Sequence, residues 1–582
     1  MAAYEICHLA RTQRQHMKHI QLGTFSVMHS DWLPYATGCL ISYCNQYAEI
    51  QTAYEFASPW FKYRPISEYQ LSFDDIDILG LTCYVWNQTY NDKLSKAFKS
   101  YKPNGIVIYG GPNVPNDQQF AQEFADKRAW VDLHFVGPGE KNIANWLISN
   151  NLEGTFSTKH FMVGDVRKYQ INSVPTPYTD GVFDSIVAKT RKIKASFETN
   201  RGCPYACAFC DWGGQAQSKL TVFDCTAVQA QIDWIYQHKN INEIEILDAN
   251  FGIIKQDIDT IKFMIGAQQR HQHQPFVSYS GLAKNGSKWL PNILDLIFAE
   301  LPIRQRNLKI SFQTHDTNTL DIIQRHNIDN TKLYPLIASY KSKNIPTTSE
   351  LIIALPGETA ESWLRSLDHN HRLGIDYIRT YFLNLVSNTP MYSHEYKTKH
   401  NIKTKTLRFP YEFSSLGYDA LHADINKTCL SIGDQEEIEI IYHNHSYDLD
   451  ELLLMFDYHW FYHNLINSDG IRSLVKDVYS ETKAFCSALS HMPTLASIIN
   501  KNRDIIKEIF KPEAVTNIND LGSYLYFSRC LRTDDVYQLW NNRNIIVDEL
   551  SLLYDKNDLV QCVQTWRKDF SYNLYGTDAN LR

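Results

Sequence analysis

Three cysteines lie within eight residues of one another in the segment ETNRGCPYACAFCDWGG. Cys203, Cys207 and Cys210 follow a C-x3-C-x2-C spacing, and thiolates held this closely by one loop can bind a single metal centre. Iron–sulfur cubanes are held by thiolates, and three of them leave the fourth iron open to a small chelating molecule. A structural zinc site requires four closed ligands, for which only Cys225 and distant histidines remain. The spacing favours an iron–sulfur cluster, with zinc as the alternative.

The remaining nine cysteines are scattered along the chain. A disulfide scaffold is typical of short, secreted, cysteine-rich chains, so we expect reduced thiols here. We interpret most of these nine side chains as small buried hydrophobes. They lie at positions 7, 39, 44, 83, 225, 429, 486, 530 and 562.

The charge balance argues against a nucleic acid as the main partner. The chain has 582 residues, with 57 Lys and Arg against 64 Asp and Glu and a net charge of −7. A protein whose main partner is a nucleic acid usually carries a basic stripe or a high pI, and this chain has neither. No apolar run approaches the ~18 residues that span a bilayer, and the N-terminus lacks a secretory signal. We therefore expect a cytoplasmic, multidomain protein with no membrane span.

The elements of the first 160 residues alternate between strand-like and helical patterns. IDILGLTCYVW (76–86), NGIVIYGGP (104–112) and VDLHFVGPGE (131–140) are β-rich runs that end in turns or polar segments. Amphipathic helical patterns lie between them, which predicts an open parallel sheet with helices on both faces. Ligands bind at the carboxyl ends of such strands. The glycines placed there are Gly110, Gly111, Gly137 and Gly139.

A second series of strand–helix units follows. Six strand-like runs separated by helical segments predict a barrel or partial barrel. The runs are KASFETNRG (194–202), NEIEILDANFG (242–252), FVSYSGL (276–282), LKISFQT (308–314), ELIIALPGET (350–359) and DYIRTYFLNL (376–385). The sequence thus predicts an α/β protein with a Rossmann-like domain over 1–160, a linker over 161–192, a partial (β/α)6 TIM-like barrel over 193–404 and a mostly helical domain over 405–582.

The cysteine motif, with Phe209 before its last cysteine, resembles the signature of the radical S-adenosylmethionine superfamily. LKISFQTHDTNTLDIIQRHNI (308–328) and ELIIALPGETAESW (350–363) resemble the fourth and fifth strand segments of that family. The resemblance implies a 4Fe-4S cluster whose open iron chelates S-adenosylmethionine and whose electron cleaves it to a 5′-deoxyadenosyl radical. It also implies an electron donor such as flavodoxin or ferredoxin.

The same resemblance implies which residues contact S-adenosylmethionine. These residues lie at the carboxyl ends of the barrel strands in the family. Asp248 and Asn250 stand where many relatives carry a Gly-Gly-Glu segment, and Trp212 is a candidate for shielding the cluster from water. Further candidates are Phe209, Ser280, Gln313 and Arg325.

The N-terminal segments resemble the cobalamin-binding domain that precedes many radical S-adenosylmethionine enzymes. They are LPYATGCLISYC (33–44), DIDILGLTCYVWN (75–87), VIYGGPNVP (107–115) and VGPGEKNIANWL (136–147). No Asp-x-His-x-x-Gly motif is found, so the resemblance implies base-off cobalamin, with Trp86 or Asn87 facing the lower side of the corrin. The implied contacts at the sheet edge are Thr82, Trp86, Asn87, Gly110, Gly111, Pro112, Gly137, Gly139 and Glu140.

Together, the two resemblances imply a methyltransferase that uses both cofactors to methylate an unactivated carbon of a small-molecule or peptide substrate. One alternative keeps the cofactors but carries out a rearrangement or cyclisation without methyl transfer. A second alternative is a scaffold protein that has lost its cofactors. A methylthiotransferase, with Cys7, Cys39 and Cys83 on a second cluster, is a further alternative, but the segments around these cysteines do not resemble that family.

The C-terminal histidines offer a separate metal hypothesis. His459 and His463 are spaced i, i+4 on a predicted helix, and His443 and His445 precede them. No H-E-x-x-H pattern accompanies these residues. We therefore expect them to pack among aromatic side chains in a region that closes over the barrel mouth.

Overall fold

The structure of the chain is a computed structural model. Its described residues are 17–26, 31–149, 157–158, 161–163, 176–213, 220–279, 287–304, 306–409, 436–466, 471–510, 515–517 and 538–564. Within these ranges, no helix combines the length and apolar character that a membrane crossing requires.

The first part of the chain builds a seven-stranded sheet in the order β2-β1-β3-β4-β5-β7-β6. All neighbouring strands are parallel except β6 and β7, which are antiparallel. The strands are β1 (Lys18–Gly23), β2 (Tyr54–Phe56), β3 (Ile78–Thr82), β4 (Ile106–Gly110), β5 (Leu133–Val136), β6 (Ser157–Thr158) and β7 (Phe161–Val163). The three β-rich runs of the sequence therefore form β3, β4 and β5, as predicted.

Both faces of this sheet are covered. Alternate residues of one strand pack into two different cores: Ile78 lies in one, and Leu79 and Leu81 lie in the other. Because both faces are buried, these strands are continuous apolar runs rather than alternating ones. The helices of this part are α1 (Tyr35–Cys44), α2 (Ala48–Ala53), α3 (Ile66–Gln70), α4 (Gln88–Tyr101), α5 (Gln118–Asp126), α6 (Gly139–Ser149) and α7 (Asp184–Lys189).

The six predicted barrel strands are all present. They form two parallel three-stranded sheets, in the orders β12-β11-β8 and β13-β14-β15, so the barrel is open between its third and fourth strands among the described residues. The strands are β8 (Ile193–Phe197), β11 (Ile241–Ile246), β12 (Phe276–Tyr279), β13 (Leu308–Gln313), β14 (Thr347–Ile353) and β15 (Tyr377–Phe382). Two short strands, β9 (Asn200–Arg201) and β10 (Thr221–Val222), form an antiparallel pair beside β8.

Helices separate these strands and cover the outside of the barrel. Within α9, for example, Ile261, Met264 and Ala267 are buried at the i, i+3 spacing of one helix face. The helices are α8 (Cys225–Gln237), α9 (Gln256–His271), α10 (Leu290–Glu300), α11 (Thr317–Ile322), α12 (Asn330–Ser342), α13 (Ala360–Arg372) and α14 (His394–Lys399).

The C-terminal part is mostly helical, as expected. It also contributes to a four-stranded sheet that was not predicted from the sequence. The strands are β16 (Asn384–Leu385), β17 (Lys403–Phe409), β18 (Glu436–His443) and β19 (Val515–Asn517), in the order β16-β18-β17-β19. β18 has the period-two pattern of a strand, with Ile438 and Ile440 buried. The helices are α15 (Leu449–Phe461), α16 (Val478–Ala488), α17 (Pro493–Ile509), α18 (Arg543–Leu550) and α19 (Lys556–Gln564).

β7 falls within the segment predicted as a linker over 161–192, and it pairs with β5. The boundaries of the four predicted segments remain a prediction.

Candidate functional site

The three cysteines lie in the loop that follows β8 and β9. Cys203 and Cys207 are buried, with 2% and 4% of their surfaces exposed, and Cys210 is half-buried. Two backbone hydrogen bonds fix the loop at Ala208, whose N–H donates to the carbonyl of Ile323 and whose carbonyl accepts from Met391, both at 2.9 Å. The cysteine loop is therefore held by the segments that follow β13 and β15.

Within the described ranges, no group of three or more His, Cys, Asp or Glu side chains surrounds the position of a single metal ion. A closed zinc site is therefore not formed by the residues that the structure describes. A cubane makes a different demand, because each of its thiolates binds a different iron and the sulfurs need not converge on one point. The fit to a cluster depends on the groups that face the sulfurs.

Two buried side chains donate toward these sulfurs. Asn250 is fully buried, and its Nδ2 lies 2.9 Å from Cys203 Sγ. Arg325, with 3% of its surface exposed, places Nη1 3.8 Å from Cys207 Sγ. Thiolate ligands of a cluster accept hydrogen bonds of this kind, so the donor set fits a thiolate-bound iron–sulfur cluster.

A cavity of about 420 Å³ adjoins the loop on the Cys207 side. Its lining comes from the cysteine loop and from the end of α11. The lining residues are Pro204, Tyr205, Ala206, Cys207, Leu320, Asp321, Gln324, Arg325 and His326.

Asp248 supports the start of the cysteine loop. One carboxylate oxygen accepts from the Thr199 backbone N–H at 2.7 Å, and the other accepts from Asn200 Nδ2 at 2.7 Å and from the Thr199 hydroxyl. Burial raises the pKa of Asp248 to about 8, and Thr199 opposes this shift by its hydrogen bonds. With its oxygens used in this way, Asp248 holds the chain between β8 and β9; its predicted contact with S-adenosylmethionine remains a prediction.

Asp248 gives the stability of the chain a specific pH dependence. Its pKa is raised from 3.8 to about 8, so its stabilising contribution is complete below pH 3.8 and is lost as the pH rises through about 8. One such proton changes the free energy of unfolding by up to about 1.4 kcal/mol per pH unit. In urea unfolding between pH 6 and 8, Asp248→Asn is expected to lose less stability than the wild type. Asp259→Asn, an exposed acid on α9, is the control, and equal slopes for Asp248→Asn and the wild type would contradict the assignment.

Two adjacent barrel strands end in left-handed backbone. Gln313 at the end of β13 has a φ of 71°, and Ala354 directly after β14 has a φ of 73°. Non-glycine residues in this conformation cost free energy and cluster at functional sites. Gln313 is half-buried, so the strand end predicted to contact S-adenosylmethionine carries the strain expected of a ligand-binding position.

The carboxyl edge of the N-terminal sheet carries the predicted glycine turns. Gly111 has a φ of 103°, and a Cβ there would lie 2.8 Å from the Cys83 carbonyl oxygen. A Cβ on Gly139 would lie 2.9 Å from Leu40 Cδ2. Contacts within the chain therefore explain these two glycines. Gly137, whose φ is 82°, lies at the same edge.

The backbone at this edge of the sheet is partly accessible. Gly110 and Gly139 are half-buried, and Pro112 and Gly137 are exposed. Trp86 is half-buried and stacks on Tyr84, with the ring centroids 4.4 Å apart.

Asn87 and Thr82, two other candidates at this edge, have structural hydrogen bonds. Asn87 is fully buried; its Nδ2 donates to the carbonyls of Phe25 and Thr82, and its Oδ1 accepts from the Tyr84 N–H. The Thr82 hydroxyl donates to the Gly23 carbonyl at 2.9 Å. The side-chain amide of Asn87 is therefore used by the turn itself, and the placement of Trp86 or Asn87 below a corrin remains a prediction.

A buried ion-pair group connects this edge to the cysteine loop. Arg201 Nη1 donates to Glu140 Oε1 at 2.7 Å, and its Nε donates to Glu198 Oε2 at 2.8 Å. Burial alone would lower the pKa of Arg201, but the two carboxylates hold it well above its usual value. Glu140 is one of the cofactor contacts predicted from the sequence, whereas Arg201 is not, because no local pattern pairs residues that lie 61 positions apart.

Two further hydrogen-bonded ties join the sheet edge to later segments. Asn388 Oδ1 accepts from the Asn116 N–H, and its Nδ2 donates to the carbonyls of Pro112 and Val114. Glu436 accepts from the Thr89 N–H at 2.9 Å. The segments that come directly after β3, β4 and β5 are therefore all hydrogen-bonded to residues that come later in the chain than the N-terminal sheet.

The remaining candidates are placed as follows. Phe209 is partly buried and packs against the hydrophobic core. Trp212 is 43% exposed, so its ring is not part of the buried surroundings of Cys203 and Cys207, and its shielding role stays a prediction. Ser280 lies outside the described residues.

The paired C-terminal histidines lie within a helical layer. His459 and His463 are fully buried, with ring centroids 4.2 Å apart. His463 Nε2 lies 2.9 Å from the Thr380 hydroxyl, and burial lowers the pKa of His463 to about 3.

Comparison with curated proteins finds two similar methyltransferases. The cobalamin-dependent radical SAM methyltransferase TokK of Streptomyces tokunonensis is 31% identical over 404 residues. The 2-(S-pantetheinyl)-carbapenam-3-carboxylate methyltransferase of Streptantibioticus cattleyicolor is 29% identical over 406 residues. Each match covers 66% of this chain and 57% of the relative, so the chain spans little more than half the length of these relatives.

Comparison with solved structures finds the fold of the cobalamin-dependent S-adenosylmethionine radical enzyme OxsB. The alignment covers 96% of this chain and 84% of that one, with a TM-score of 0.53 and 14% identity. No family model matches the chain. The α/β fold class predicted from the sequence is confirmed.

Proposed function

We propose that this chain, which belongs to the family of cobalamin-dependent radical S-adenosylmethionine enzymes, is a methyltransferase acting on an unactivated carbon of a small molecule. The observation that carries the proposal is the Arg201–Glu140 ion pair. It joins the residue two positions before Cys203 to the strand-end turn of the N-terminal sheet. The two places proposed here for the family's metal cofactors would therefore be adjacent, as a reaction that uses both requires.

The proposed cofactor contacts divide among three groups of residues. Cys203, Cys207 and Cys210 would hold the 4Fe-4S cluster. When bound, the cluster supplies the electron that cleaves S-adenosylmethionine, and cobalamin supplies the cobalt through which a methyl group passes. The proposed contacts to S-adenosylmethionine are Asn250, Gln313 and Arg325, and those to cobalamin are Trp86, Gly110, Gly111, Pro112, Gly137 and Gly139.

The chain's own residues position these proposed sites. Asp248 fixes the chain before the cysteine loop through Thr199 and Asn200. Arg201 binds carboxylates from both sides of the junction.

We also propose that an electron donor such as flavodoxin or ferredoxin delivers its electron on the Cys207 side. Cys207 lines the cavity of about 420 Å³ beside the loop, together with Gln324 and His326. Gln324 and His326 are exposed, so this side brings a ligating cysteine close to a surface that a partner can reach.

A product assay tests the main proposal. The full chain is reconstituted anaerobically with iron, sulfide and hydroxocobalamin, reduced with titanium(III) citrate, and given S-adenosylmethionine. Mass spectrometry is expected to detect both 5′-deoxyadenosine and S-adenosylhomocysteine, because the first reports reductive cleavage and the second reports methyl transfer.

The two alternatives predict different products. 5′-Deoxyadenosine without S-adenosylhomocysteine would favour a rearrangement or cyclisation enzyme. A colourless protein that yields neither product after reconstitution would favour a scaffold and contradict the proposed function. Omission of cobalamin is the matched control, and it is expected to remove S-adenosylhomocysteine while 5′-deoxyadenosine persists.

A further inference from the structure

Asn250 lies beside Cys203, and only the nitrogen of its side-chain amide makes a hydrogen bond among the described residues. The residue follows β11 and is fully buried. Its Nδ2 lies 2.9 Å from Cys203 Sγ, while its Oδ1 has no hydrogen-bond partner among the described residues. A thiolate can only accept, so the amide must present its N–H group to the sulfur. The burial of an incompletely paired amide costs free energy, and the hydrogen bond to the sulfur is the contact that distinguishes Asn250.

Arg325 is a buried cation without a carboxylate partner among the described residues. Its Nε donates to the Phe312 carbonyl at 3.1 Å and to Asn327 Oδ1 at 3.0 Å, and its Nη2 donates to the Ser311 carbonyl. The remaining nitrogen, Nη1, points toward Cys207 Sγ at 3.8 Å. An uncompensated buried charge is strongly destabilising, so this guanidinium requires an anion, and the Cys207 thiolate is the group placed to provide it.

We infer that Asn250 and Arg325 set the reduction potential of the cluster, by hydrogen bonding to Cys203 and by placing a positive charge beside Cys207. This inference rests on the proposed function. A thiolate-bound cluster becomes more negative when it accepts an electron from the external one-electron donor. Donors and cations at its sulfurs therefore stabilise the reduced form more than the oxidised form and raise the potential.

The experiment is a redox titration of the reconstituted full chain, followed by electron paramagnetic resonance. Asn250→Leu removes the donor at similar size, and Arg325→Met removes the cation. Each is expected to shift the reduction equilibrium against the reduced cluster by about tenfold, which is 59 mV for one electron. Arg325→Lys keeps the charge and is expected to keep most of the potential.

Asn370→Leu is the matched control. Asn370 is also fully buried and donates through Nδ2, but to the Ser366 carbonyl of its own helix at 2.8 Å. Its replacement is expected to leave the potential unchanged.

Iron and sulfide content separates the two ways in which the inference can fail. If the wild-type chain incorporates no cluster, the proposed function is overturned, and this inference with it. If clusters form and the reduction potentials of Asn250→Leu and Arg325→Met equal that of the wild type, only this inference is overturned. Should Arg325→Met fail to fold, Asn250→Leu against Asn370→Leu still decides the outcome.

Discussion

Replacement of Cys203, Cys207 or Cys210 by alanine, one at a time, is expected to abolish the cleavage of S-adenosylmethionine. In a three-cysteine site each thiolate binds a different iron, so the loss of any one thiolate leaves an iron without its protein ligand. The measurement is 5′-deoxyadenosine by mass spectrometry after anaerobic reconstitution, with a complete loss expected in each variant. Iron content is expected to fall in parallel.

Cysteines outside the motif provide the control for this experiment. Cys225 and Cys486 are half-buried free cysteines elsewhere in the chain, and their alanine variants are expected to retain both iron and product. Cys→Ala removes a single sulfur atom from the side chain, so the circular dichroism spectrum is expected to be unchanged in all five variants. Full activity in any one of the three motif variants would contradict the assignment of the cluster ligands.

Arg201→Met is expected to destabilise the chain by about 3–5 kcal/mol, which is the cost of leaving buried charges without a partner. The substitution leaves two carboxylates without their cation. Glu140 is only 4% exposed. Burial raises the pKa of Glu198, and Arg201 opposes that rise. The measurement is the free energy of unfolding from urea titration at pH 7.

A double-mutant cycle distinguishes this pairing from a simple loss of packing. Glu140→Gln with Arg201→Met is expected to cost less than the sum of the single variants, because the two side chains interact directly. Arg64→Met provides the exposed comparison, since Arg64 and Glu68 pair at about half exposure and such pairs contribute about 0–1 kcal/mol. Additive effects within the cycle would show that the ion pair does not connect the two parts.

The strands could be predicted because their signal is local. β3, β4 and β5 are apolar runs buried on both faces, and the six barrel strands each carry a comparable run followed by a turn. β18 was missed because its EEIEIIYH pattern lies in a region of helical character, and its strand partners are β16 and β17, far from it in sequence.

The candidate site could be predicted only where a motif is contiguous. The cysteine spacing identified its loop directly. The partners of Asp248 and Glu140 could not be found, because Thr199 and Arg201 lie 49 and 61 positions away from them and only the packed fold brings them together. Asn87 lies just after β3, as its position in the sequence indicates, but its side-chain amide donates to backbone carbonyls that a sequence does not reveal.

The contact between Thr89 and Glu436 joins the start of α4 to a residue that is synthesised much later. α4 has no side-chain cap from its own N-cap residue, Asn87, and Glu436 supplies an acceptor 347 residues later. An anion at this end also complements the helix dipole. Until residue 436 has been synthesised and has folded against α4, the amino end of this helix therefore lacks the Glu436 carboxylate as an acceptor.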